Sequence, residues 1–153
     1  MIVVSDTSVI TSLIQIGHIN LLQKLHDRIL IPRAVRDELM VTHSETPGFL
    51  EVADAQDRQW VARLEAELDL GEAEAIVLAC EVHADLLLID EKLGRRVAVR
   101  EGLRIAGLLG LVIEAKQQGH IDSVRDMLRR LESEAGFRIS SPVRAEALRR
   151  AGE

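Results

Sequence analysis

The sequence predicts an α/β protein with a parallel sheet covered by helices on both faces, and three observations carry that expectation. Short apolar runs at Ile2-Val3-Val4, Ile29-Leu30-Ile31 and Leu86-Leu87-Leu88-Ile89 read as strands buried on both sides, because a strand with one wet face would alternate. Segments of helical spacing separate these runs, the pattern of β-α-β units. Two of the runs end on an aspartate, Asp6 and Asp90, and in open α/β sheets ligands collect outside the carboxyl ends of strands.

Taken in order, Val9–Ile14 and Ile19–Leu25 predict two short helices broken at Gly17-His18. Residues 28–31 form the second strand, and Pro32 suits the first turn of a helix carrying Ala34, Val35 and Leu39. The stretch 41–48, with Thr42, Ser44, Thr46 and Pro47, predicts a loop. Residues 49–52 fit a short edge strand, 59–68 a helix, 71–83 a stronger helix and 84–90 a strand. A helix over 91–100, a strand over 103–105 closed by Gly107, and an apolar helix over 108–118 complete the core. Residues 122–134 form an amphipathic helix, 137–139 an extended segment, and Ser141-Pro142 opens a last helix. The chain reads as a single domain over 1–153, with a core over about 1–120 and a helical appendage over about 121–153.

Composition narrows the function classes. The 153 residues include two Phe, one Trp and no Tyr, so nucleic-acid contact would rest on backbone and shape rather than on stacked bases. The lone Cys80 excludes an internal disulfide and a multi-thiolate metal site. No apolar run approaches the ~18 residues of a membrane span, and no leader is evident, which predicts a cytoplasmic protein. The net charge of −6 hides an asymmetry: residues 1–91 balance at −11 and residues 92–153 at +5. Motifs for nucleoside triphosphates, dinucleotides and serine hydrolysis are absent. The five histidines share no ligand spacing.

Four acids remain as candidates: Asp6, Glu38, Glu74 and Asp90. Mg2+ and Mn2+ prefer oxygen donors, and a few carboxylates on separate elements can hold one. Asp6 and Asp90 have competing roles as helix caps, and Glu38 as a solvated helix residue. Glu72 and Glu74 compete for one place, since residues two apart on a helix point in nearly opposite directions. Glu72 at the third helical position resembles the partner in a capping box after Asp69. Glu74, directly before Ala75-Ile76-Val77-Leu78-Ala79, is the expected pocket residue.

The segments VVSDTSVIT, GHINLLQKL, ILIPRAVRDEL, LGEAEAIVLA, ADLLLIDEKLGRRVA and GLRIAGLLGLVIEAKQQGHI, with the ending GFRISSPVRAEALRRAGE, together resemble the PIN-domain family. The likeness is greatest to its small prokaryotic, VapC-like members. The resemblance implies a three-layer α/β/α sandwich and a Mg2+- or Mn2+-dependent ribonuclease. Such a protein is commonly the toxin of a toxin-antitoxin pair and commonly a homodimer. By position Asp6 matches the first family acid, Glu38 the second, Glu74 the third and Asp90 the fourth. The third is usually Asp, Leu88 replaces a frequent hydroxyl residue, and Val9 stands where Pro is common.

The expectation is therefore an endoribonuclease in which Asp6, Glu74 and Asp90 hold the metal and Glu38 positions or deprotonates water. Arg95 and Arg96, just after the Asp90 strand end, are candidates for contact with RNA phosphates, against a plain helix-surface role that explains both more simply, and a protein antitoxin is the expected partner. The rivals are a PIN-like partner-binding module without catalysis and a Mg2+-dependent phosphatase.

Overall fold

The computed structural model describes residues 1–44 and 46–153. Five strands, β1 (Val3–Ser5), β2 (Ile29–Ile31), β3 (Leu50–Val52), β4 (Leu86–Leu88) and β5 (Ile105–Ala106), form one sheet in the order β3-β2-β1-β4-β5. Every pairing is parallel. Nine helices among the described residues surround it: α1 (Thr7–Gln15), α2 (Asn20–Leu25), α3 (Arg33–Thr42), α4 (Arg58–Leu64), α5 (Leu70–Glu81), α6 (Lys92–Arg100), α7 (Leu108–Gln117), α8 (Val124–Ala135) and α9 (Ser141–Arg150). The result is the three-layer α/β/α arrangement.

Alternation along the strands divides the interior in two. Val3, Ile29, Ile31 and Leu88 face a core completed by Leu13, Leu22, Val112 and Leu128 from α1, α2, α7 and α8. Val4, Leu87 and Ile89 face the opposite core with Val61, Ile76 and Val97 from α4, α5 and α6. Each such side chain is fully or almost fully removed from water, worth about 1.5–3 kcal/mol apiece. Because both faces are covered, the strands read as continuous apolar runs.

The strand order reverses at β1. The chain builds from β1 through β2 to β3 on one side, then returns to place β4 and β5 on the other. The register Ser5↔Leu88 aligns β1 with β4, and the Asp6 amide donates to the Leu88 carbonyl at 3.0 Å. Asp6 and Asp90 thus leave the same edge of the sheet at its topological switch point, where a crevice forms.

The helices at the C-terminal end are tied down by polar contacts. Arg130 of α8 donates to the Ile16 carbonyl at 2.5 Å and lies 2.9 Å from His18 Nε2, fastening α8 to the end of α1. The Glu153 carboxylate accepts from the Val124 amide at 2.6 Å and from Lys116 Nζ at 3.2 Å, capping the start of α8 from beyond α9. Arg144 pairs with Glu132 between the two helices.

Some expectations shift. Residues 137–139, expected as an extended segment, join no strand of the sheet: Gly136 ends α8 in the left-handed region (φ 66°), and Phe137 and Ile139 then pack on the core as side chains. The helix expected over 59–68 stops at Leu64. Glu45, inside the loop expected over 41–48, lies outside the described residues, and α3 extends into that stretch as far as Thr42.

Candidate active site

Asp6 is 2 % exposed and does two jobs. Its Oδ1 caps α1 by accepting from the Val9 amide at 3.4 Å, and both oxygens accept from Ser8 Oγ at 3.0–3.1 Å. Burial pushes its carboxyl up to about 7, with the charges of Asp90 and Glu72 adding to the rise and the Ser8 and Val9 hydrogen bonds opposing it. The capping role and the pocket role considered for Asp6 are therefore compatible: the cap fixes the carboxylate at the strand end.

A pocket of about 390 Å³ opens over Asp6. Its acidic end is lined by Asp6, Glu38, Asp69, Glu72 and Glu91, with no Lys, Arg or His among the lining residues. Helices in a parallel α/β fold run antiparallel to their strands, so the first turn of α5 sits at the carboxyl edge of the sheet. Asp69 and Glu72 make the capping box there: Asp69 Oδ1 accepts from the Glu72 amide at 2.8 Å, and Glu72 Oε1 from the Asp69 amide at 3.3 Å. The remaining Glu72 oxygen, Oε2, is buried with no hydrogen-bond partner among the described residues. Burial first, then the Asp69 charge, raises the Glu72 carboxyl to about 7. Burial also raises Glu38.

Glu74 does not line this pocket, contrary to expectation. Its carboxylate, 5 % exposed, accepts from the Ala34 amide at 2.9 Å through Oε1 and from Arg58 Nη2 at 2.7 Å through Oε2. It lines a separate cavity with Arg33, Asp54 and Arg58. The cause is local: Pro32, the residue before α3, provides no side-chain cap, and the buried α3 amide takes an acceptor from α5 instead. Of the two glutamates, Glu72 turns to the pocket and Glu74 to the helix packing.

Asp90 lies at the end of the neighbouring strand run, but both its oxygens accept from the Leu108 amide at 3.2 Å, so it caps α7 rather than α6. Arg95 Nη1 stands 3.9 Å from its Oδ1. Burial raises the Asp90 carboxyl, while the Leu108 amide and Arg95 pull it back. Arg96 is exposed.

Three glycines make room for three of these acids. A Cβ on Gly71 would lie 2.5 Å from Glu38 Oε1, one on Gly94 2.8 Å from Glu72 Oε2, and one on Gly107 would collide with Asp90 Oδ1. Nothing in the local sequence marks Asp69 and Glu91 as pocket residues. The usable signal was the direction of α5, which puts its first turn at the strand ends.

The donor set suits a hard divalent cation: several carboxylate oxygens, one of them buried and unpartnered, with no cationic side chain lining the pocket. Among the described residues, no three His, Cys, Asp or Glu side chains converge closely enough to grip an ion as they stand. Asp90 is not among the residues lining this pocket, and its carboxylate is engaged by the Leu108 amide.

Fold and pocket together define an open α/β protein whose site is built of carboxylates at the switch point of a parallel sheet. A family model described as the PIN domain matches residues 2–153, and the chain belongs to the PIN-domain family. PIN domains are in general nucleases that use divalent metal ions. No curated protein and no solved structure was found to match the chain. No helix is long and apolar enough to cross a membrane among the described residues.

Proposed function

We propose that this PIN domain is a Mg2+- or Mn2+-dependent endoribonuclease, working as the toxin of a toxin-antitoxin pair in the cytoplasm, as a homodimer held in check by a protein antitoxin. The observation that supports catalysis most is the meeting of Asp6, Glu38 and Glu72 in one cation-free pocket beside Asp90. Asp6, Glu72 and Asp90 are the proposed metal ligands, with Glu72 in the place expected for Glu74. A bound divalent ion would lower the pKa of a coordinated water and neutralise charge on the scissile phosphate.

The chain's own groups supply the rest. Ser8 holds the Asp6 carboxylate in one orientation through its hydroxyl. Glu38, its carboxyl raised by burial, accepts the proton of the attacking water, a task that favours a carboxylate poised nearer neutrality. Arg95, half-exposed beside Asp90, neutralises a substrate phosphate on leaving that carboxylate. The single test is cleavage of single-stranded RNA with Mn2+: wild type is expected to cut and Asp6→Asn to be inert with its fold intact. Cleavage undiminished in that variant overturns the assignment.

One observation favours a second reading, a PIN-like partner-binding module without catalysis: Asp90 is already satisfied by Leu108 and neighboured by Arg95. Calorimetry separates the two, since the module reading expects no Mn2+ binding.

A further inference from the structure

Besides its carboxylates the pocket is walled by Thr7, Ser8, Thr11, Ser12 and Gln15 of α1 and by Ala135 at the end of α8. Positions 7, 11 and 15, with 8 and 12, fall on one helix face. At ~1.5 Å per residue this strip is ~12 Å long. The two walls are fixed to each other, because Arg130 of α8 donates to the Ile16 carbonyl at the end of α1. The wall ends at Ala135 because Gly136 turns the chain with φ 66° and the Phe137 amide closes back onto the Leu131 carbonyl at 3.0 Å.

The chemistry of the strip is specific. Its hydroxyls and its amide are neutral, and each can both donate and accept. No lining residue is a cation for gripping phosphate or an aromatic for stacking a base. A group that donates and accepts without charge matches such a surface; base edges and the ribose 2′-hydroxyl both qualify in nucleic acids, and of the two only the hydroxyl is absent from DNA. The volume, about 390 Å³, is that of a site for one small ligand, room for a nucleotide or two of one strand.

We propose that this groove is the track by which a single RNA strand enters the acidic pocket, with Thr11, Ser12 and Gln15 reading ribose 2′-hydroxyls and so selecting RNA over DNA. The proposal rests on the nuclease reading above and adds to it the determinant of sugar specificity and a role for α8 as the outer wall.

Two full-length variants test it. Thr11→Val/Ser12→Ala/Gln15→Ala changes only half-buried or exposed positions and leaves Ser8 on Asp6. Its KM for a short single-stranded RNA should rise about tenfold with kcat within about threefold of wild type. The preference for RNA over a DNA competitor of the same sequence should fall by a similar factor. Ala135→Phe fills the groove from the other wall, and should raise KM at least tenfold with Mn2+ affinity by calorimetry unchanged. Wild-type KM and wild-type RNA preference in both variants would overturn the track. Should wild type cut neither RNA nor bis(p-nitrophenyl) phosphate, the nuclease reading fails on its own. The track is then judged by anisotropy of labelled RNA: binding to wild type that Ala135→Phe abolishes keeps it, and binding that is absent or indifferent to the variant removes it.

Discussion

Gly94 of α6 lies against Glu72 of α5 so closely that a methyl group on it would stand 2.8 Å from Glu72 Oε2 and 2.7 Å from Ile89 Cδ1. Gly94→Ala gains about 1 kcal/mol of helix propensity and loses about 1–3 kcal/mol to overpacking. The melting temperature should therefore move by only a few degrees. The Glu72 carboxylate is the softest neighbour and should give way, so Mn2+-dependent RNA cleavage is expected to fall at least tenfold. Kinetics and thermal melts on the same preparation check the separation.

Asp6→Asn should eliminate cleavage, and its effect on stability should run the other way. The native carboxylate is buried beside other acids, so a neutral isostere removes a desolvated charge. At pH 8 without metal the variant should melt at or above the wild-type temperature, although the amide is the poorer acceptor for Ser8 and Val9.

The metal-free protein should lose stability as the pH climbs from about 4 to about 7. The Asp6 carboxyl titrates near 7 in the fold and near 3.8 in the unfolded chain, so between those values the native state holds a proton that the unfolded state has released. One such group gives a slope of about −1.4 kcal/mol per pH unit, ending above about 7. Glu72, raised for the same first reason, acts in the same direction. Melting temperatures across pH 4–8 should show the decline, Asp6→Asn should flatten it, and Mn2+ should restore stability at the alkaline end by binding the ionised form.

Glu72 and Glu74 should separate cleanly by substitution. Glu74→Ala strands the Ala34 amide, a loss of about 1–3 kcal/mol, while the half-exposed Arg58 keeps the Ala55 carbonyl and regains water. Glu74→Gln keeps an acceptor for Ala34 and should lose less. Glu72→Gln should weaken Mn2+ binding at least tenfold with little change in melting, whereas Glu74→Gln should keep its Mn2+ affinity. Denaturant titration and calorimetry supply the two readouts.

Much of the fold was legible because burying β1 and β4 on both faces forces uninterrupted apolar residues, and because Asp6 and Asp90 mark where those strands stop. The orientation of Glu72 and Glu74 was harder to read. Both sit near the start of α5, and the deciding fact was the uncapped amide of Ala34, forty residues away in sequence, which claims Glu74. Asp90 as a cap for α7 was hidden likewise, since local sequence places it before α6. Phe137 and Ile139 alternate like a strand, yet local alternation cannot say whether a sheet edge is near enough to pair with.

The Glu153 carboxylate on the Val124 amide makes the start of α8 depend on the chain beyond α9. Arg144 and Glu132 tie the same two helices midway. The pair should consequently open as one cooperative unit, its amides surrendering deuterium protection together and ahead of the central strands.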